Sequence, residues 1–154
     1  MTRKYPLLKI TLYSSIIGLF IPGFTAIVLT GFQSLLGKMG IECAAATKGI
    51  WLSTTIIAIC LPFIFDRKII KTRKRKEYRV QKLLPVFNLI EYTSLQASLA
   101  ALFTDAETLC YVSDGQNGME LIFTAWLSLP ILIAISYAFD YRSKNNTPTG
   151  AGLP

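Results

Sequence analysis

At 154 residues the chain has the length of a single soluble domain, yet 52% of its residues are apolar, 16% are charged and its mean hydropathy is +0.45. Those values exclude an ordinary soluble globular protein and point to a membrane. There is no histidine among the 154 residues, and the net charge is +7, so the usual imidazole base and transition-metal ligand are missing while an excess of cations must lie outside the apolar phase.

Four segments are long and apolar enough to cross a bilayer: 10–32, 49–65, 83–103 and 119–139, against a requirement of roughly 17 to 25 residues per helix. The expected architecture is therefore all-α, a polytopic membrane protein built as a four-transmembrane-helix bundle. The first segment follows "MTRKYPLLK", which resembles the basic start of a secretory signal. Its apolar core runs on through "ITLYSSIIGLFIPGFTAIVLTGF" without a small-residue cleavage site, so it is expected to stay attached as a membrane helix. Pro22 in this segment and Pro130 in the fourth each remove a backbone hydrogen bond and favour a bend. Ser14 and Gly18, Ser94 and Ser98, and Ala97 and Ala101 are small residues four apart, the spacing that lets membrane helices approach closely.

The second segment, "GIWLSTTIIAICLPFIF", carries no charge, and Cys60 within it reads as a small buried apolar residue. It leads into 66–82, "DRKIIKTRKRKEYRVQK", which holds nine of the sixteen basic residues: Arg67, Lys68, Lys71, Arg73, Lys74, Arg75, Lys76, Arg79 and Lys82. The outer loops by contrast are poor in Lys and Arg, with Lys38 and Lys48 in 33–48 and neither residue in 104–118. Short basic loops stay in the cytoplasm, so 66–82 is cytoplasmic, 33–48 and 104–118 face outward, and both the basic N-terminal stretch 1–9 and the polar tail 140–154 lie in the cytoplasm. The basic run is read as a topology determinant and a contact for anionic headgroups of the bilayer, each cation contributing about 1 kcal/mol near the surface. A nucleic-acid partner is not expected, because the run has a single aromatic residue, Tyr78, and is tethered at both ends close to the membrane. If helical, Arg67, Lys71, Lys74 and Tyr78 share a face and prolong a span into the cytoplasm.

The third segment has the one chemically expensive feature. Asn88, Glu91, Ser94 and Ser98 recur at helical spacing and form a candidate intramembrane polar site. Glu91 lies about 12 Å along the axis from Leu83, inside the hydrocarbon, where an ionised carboxylate costs several kcal/mol. Two uses suit it: a protonated carboxyl bonded to a hydroxyl of another span, such as Thr54 or Thr55, or a proton or cation site. Cys43 and Cys110 fall in different outer loops, and on the oxidising side of a bacterial inner membrane they are expected to form a disulfide.

With four spans and outer cysteines the chain resembles the quinone-linked membrane oxidases that form disulfides, in architecture alone, since it has no C-x-x-C. In size, span number and basic cytoplasmic loops it is similar to the immunity proteins against pore-forming colicins. Small multidrug transporters also combine four spans with a membrane carboxylate, placed in their first span and in a shorter chain. No Walker, G-x-S-x-G or dinucleotide-binding pattern is present, and neither a cofactor nor a metal is expected. The sequence reading is thus a small non-enzymatic, multi-pass inner-membrane protein of the immunity, superinfection-exclusion or accessory-subunit type. Its expected partner is another membrane protein or a second copy of itself. The alternative is a small proton- or cation-coupled transporter that works as an oligomer through Glu91.

Overall fold

The computed structural model describes residues 6–20, 23–73, 77–105, 110 and 119–145, and among these there are five helices and no strand. They are α1 (Pro6–Phe20), α2 (Phe24–Lys38), α3 (Cys43–Arg73), α4 (Glu77–Ala100) and α5 (Met119–Asn145). By length and composition two stretches can cross a membrane, Cys43–Ile69 of α3 and Phe123–Ser143 of α5, and α1 with α2 makes a third if the pair is one broken span. The protein is all-helical and consistent with a membrane protein.

Three boundaries differ from the sequence reading, each for a physical reason. The first expected span, 10–32, is two helices whose axes differ by 74°. Fifteen residues each reach only about 22 Å, less than the roughly 30 Å of hydrocarbon, so neither half crosses alone. The expected bend at Pro22 falls at this break, although residue 22 itself lies outside the described residues. The second span is longer than 49–65, because "AAATK" ahead of it is helix-compatible and α3 continues to Arg73. Much of the basic loop is therefore helix, from α3 up to Arg73 and from Glu77 in α4, the case in which it prolongs the neighbouring segments. The third segment, α4, is not among the stretches apolar enough to cross by composition. Its polar residues are the cause, and packing explains why they are tolerated: α4 contacts each of the other four helices.

Contacts set the helix directions. Leu8 of α1 meets Asp140 of α5, Thr11 meets Asn88 and Ser136, and Tyr92 meets Gly18, so α1 and α4 run together and α5 runs against both. Asp66 near the end of α3 reaches Arg142 of α5, which makes α3 antiparallel to α4. The core at this end is an aromatic cluster: Phe65 of α3 stacks on Phe87 of α4 at 4.4 Å between centroids, and Phe139 of α5 lies 5.5 to 5.6 Å from both. Such pairs add to plain burial because ring edges and faces attract. Leu84 and Leu132, at 0% and 2% exposure, belong to the same buried core.

At the other end, α2 closes on a left-handed glycine. Gly40 has φ of +84°, and Ile41 N–H donates back to Leu36 C=O at 3.1 Å, the six-to-one bond that ends a helix where a Cβ would be strained. The chain then turns directly into α3.

Gly18 confirms the close approach expected of α1. A Cβ there would stand 3.3 Å from Tyr92 Cζ, so the glycine is what lets the tyrosine ring lie against α1 and donate to the Gly18 carbonyl at 3.1 Å. Pro62, Pro85 and Pro130 are inside helices that continue past them. One expectation about packing fails: Cys60 is exposed. It lies beside Ile56, Ile59, Phe63 and Ile64, which are all exposed, on the outward face of α3 where an apolar side chain suits lipid as well as a core.

Candidate functional site: a buried polar seam

Thr11, Ser14, Asn88 and Ser136 form a cluster where α1, α4 and α5 meet. Thr11 Oγ1 lies 2.5 Å from Ser136 Oγ, Asn88 Nδ2 donates to Thr11 Oγ1 at 3.1 Å and to Ser14 Oγ at 3.4 Å, and Asn88 Oδ1 accepts from Thr11 at 3.3 Å. Further along, Thr25 of α2 donates to Gln96 Oε1 of α4. These bonds tie four helices together in an environment where lipid supplies no hydrophobic drive for helix association.

The α5 contribution was legible and not read. Thr124, Ser128, Ser136 and Asp140 are spaced by four and eight residues, one helical face, and all are buried. Thr11 and Ser15 repeat the signal on α1. Each is a stripe of small polar residues in an apolar helix, the pattern of an interhelical seam.

Of the expected site, Asn88, Glu91 and Ser94 are buried on one face of α4, while Ser98 is half-buried and donates to its own helix at Ser94 C=O, 2.7 Å away. Glu91 has 0% exposure, and neither carboxylate oxygen has a partner among the described residues. The expected bond to Thr54 or Thr55 is not formed. Both threonines donate to carbonyls one turn back in α3, Thr54 to Ile50 and Trp51 and Thr55 to Trp51. A threonine in a helix has such an acceptor always at hand, so it competes with any tertiary partner. At 100° per residue Glu91 projects about 40° round from Phe87 and about 60° from Asn88. It therefore points between the direction of the aromatic cluster and that of α1, into the centre of the bundle. Ser15 Oγ, one turn along α1 from Thr11, is a second buried oxygen without a partner among the described residues.

Among the described residues, two cavities flank the seam. One, of about 300 Å³, lies between α1 and α4 and includes Ser14, Gly18, Asn88 and Tyr92 in its wall. The other, of about 550 Å³, is a groove between α2, α3 and α4. Phe24 and Leu89 line both, and Glu91 lines neither.

The two ends of the bundle are pinned separately. At one, Asp66 and Arg142 pair at 2.7 Å and Asp140 accepts from the Leu8 backbone N–H at 2.9 Å, so a buried carboxylate caps the first turn of α1. Arg67, Lys68 and Lys82 are exposed at this same end. The remaining members of the expected headgroup contact lie outside the described residues: Lys74, Arg75 and Lys76 entirely, and Lys71, Arg73 and Arg79 in their side chains. At the other end Cys43 and Cys110 form the expected disulfide, with Cα atoms 6.0 Å apart. Gln33 Nε2 donates to Thr47 Oγ1 and to Cys43 Sγ, each at 2.9 Å, fastening α2 to α3 beside it.

The chain matches no family model, no curated protein and no solved structure. Function must therefore be argued from the seam, the cavities and the two pinned ends.

Proposed function

We propose that the chain is a non-enzymatic, multi-pass protein of the bacterial inner membrane that acts by helix or outer-loop association with another membrane component. Immunity, superinfection-exclusion and accessory-subunit proteins are the type intended. One observation carries this reading. Thr11, Asn88, Ser136, Thr25 and Gln96 hold helices to one another across the bundle, and Glu91, fully buried, lines neither of the two cavities described above. A transport site needs a path by which its ion arrives and leaves, and the seam supplies glue instead.

The reading includes four crossings. In it α1 and α2 make one broken span, and α4 is a crossing helix screened from lipid by its neighbours. The alternating directions of α1, α3, α4 and α5 support this, as do the 24 residues of α4, about 36 Å. Both ends then lie on the cytoplasmic side with the basic run, and the disulfide end faces outward.

A second reading, the proton- or cation-coupled transporter, draws on the two unpartnered oxygens of Glu91. Reconstitution separates the two. In liposomes carrying an internal pH dye, the interaction protein produces no proton flux above that of lipid alone. Flux in the wild type that disappears in a folded Glu91→Gln variant establishes the transporter. In cells, photo-crosslinking residues placed at Met39 on the outer end and at Ile27 and Leu52 on the lipid face, which are exposed by 72%, 75% and 65%, give discrete adducts at some positions and not at others. Uniform absence of adducts removes the association reading.

A further inference from the structure

We infer that the two cavities form one binding site for a neutral single-chain amphiphile, with its hydroxyl head among Ser14, Asn88 and Tyr92 and its alkyl tail in the α2–α3–α4 groove. This site stands apart from association with a partner and does not depend on it. The cavities adjoin, with Phe24 and Leu89 in the wall of each, and in this inference one molecule runs from the first into the second past these two side chains. Their ends differ in chemistry in a way that reads as head and tail.

In the smaller cavity, hydrogen-bonding capacity is left over. Ser14 Oγ accepts from Asn88 Nδ2 and keeps its own proton to donate, and Tyr92 O–H donates to Gly18 C=O and keeps its lone pairs to accept. A ligand hydroxyl satisfies both at once, accepting from the serine and donating to the tyrosine. No Lys or Arg lines this wall, and Glu91 does not reach it, so neither a carboxylate or phosphate head nor an ammonium head finds a counter-charge.

In the groove most polar atoms are already spent. Ser53 donates to Gly49 C=O, Thr54 to Ile50 C=O and Thr93 to Leu89 C=O, at 2.8 to 2.9 Å, and apart from Ser94 and Gly49 the rest of the wall is aliphatic or aromatic, including Val28, Phe32 and Ile57. Such a wall takes hydrocarbon and offers water little.

The test uses the purified full-length protein in nanodiscs and a hexadecanol carrying a diazirine near its tail end, with labelled peptides mapped by mass spectrometry. Labelling is expected to concentrate on groove residues of α2 and α3 and to be competed by hexadecanol, at least tenfold better than by hexadecane. Tyr92→Phe and Ser14→Ala each remove one neutral hydrogen bond and raise the hexadecanol concentration for half-competition about fivefold, with competition by hexadecane unchanged. Leu89→Trp fills the passage between the cavities and abolishes specific labelling. Should that variant fail to form the Cys43–Cys110 disulfide and so report misfolding, Ile57→Trp blocks the far end of the groove and gives the same readout. Three results overturn the inference: equal competition by hexadecane and hexadecanol, labelling spread over all lipid-facing helix surfaces, or groove residues that crosslink to a second copy or another protein in place of the probe.

Discussion

Replacing Glu91 by leucine is expected to stabilise the bundle. The carboxyl is fully buried and its two oxygens have no partner among the described residues. An unsatisfied buried polar group costs about 1 to 3 kcal/mol. In a bilayer the figure falls toward the low end, because the unfolded chain also finds polar groups poorly solvated by lipid, as the modest measured worth of membrane hydrogen bonds shows. Leucine is close to glutamate in size, keeps the packing of the bundle centre and leaves nothing unpaired, so a gain of about 1 to 2 kcal/mol follows. Glutamine exchanges one unpaired polar group for another and stays within about 0.5 kcal/mol of wild type, whereas alanine leaves a hole and loses about 1 kcal/mol. Equilibrium unfolding in mixed detergent micelles measures the series, and the expected order is Leu above Glu and Gln, with Ala last. If leucine is less stable than wild type by 1 kcal/mol or more while glutamine matches it, the carboxyl is held by a hydrogen-bond partner and the reasoning from its isolation is wrong.

Other predictions follow from the pinned ends and the seam. The Cys43–Cys110 bond closes a loop with a sequence separation of 67, so its loss in a Cys43→Ser, Cys110→Ser double variant costs up to about 4 kcal/mol by the loop-entropy estimate, read as a lowered unfolding midpoint. A double-mutant cycle of Thr11→Val with Asn88→Leu gives a coupling of about 0.6 to 1.7 kcal/mol; additive effects mean that the pair does not interact. Asp140→Ala removes the acceptor for the Leu8 N–H and costs about 0.5 to 2 kcal/mol, with hydrogen exchange rising first in the opening turn of α1. Reporter fusions after Lys38, Lys74, Asp114 and Lys144 are expected to report outside, inside, outside and inside, and a cytoplasmic signal at Asp114 removes the four-crossing topology.

What the sequence by itself determined is the kind of protein this is and which residues are constrained. Apolar segment lengths announce helices suited to a membrane, the spacing of Asn88, Glu91 and Ser94 places them on one inward face, and two cysteines in separate loops name each other as partners once the expected topology puts them on the same side. These are properties of one helix or one loop at a time, and periodicity reports them directly. Tertiary structure decided everything that depends on how helices are turned toward one another. Periodicity says that Asn88 has a buried face but not that Thr11 and Ser136 meet it there, since that depends on the rotation and height of two other helices. The same ignorance placed Cys60 inside, where α3 turns it outward, and assigned Glu91 a threonine that instead bonds its own helix. An apolar stretch such as 10–32 also does not reveal by composition that it is broken, because both halves remain apolar across a bend of 74°. In lipid the apolar faces of a helix look alike, and polar pairing together with close approach at Gly18 selects which face turns inward.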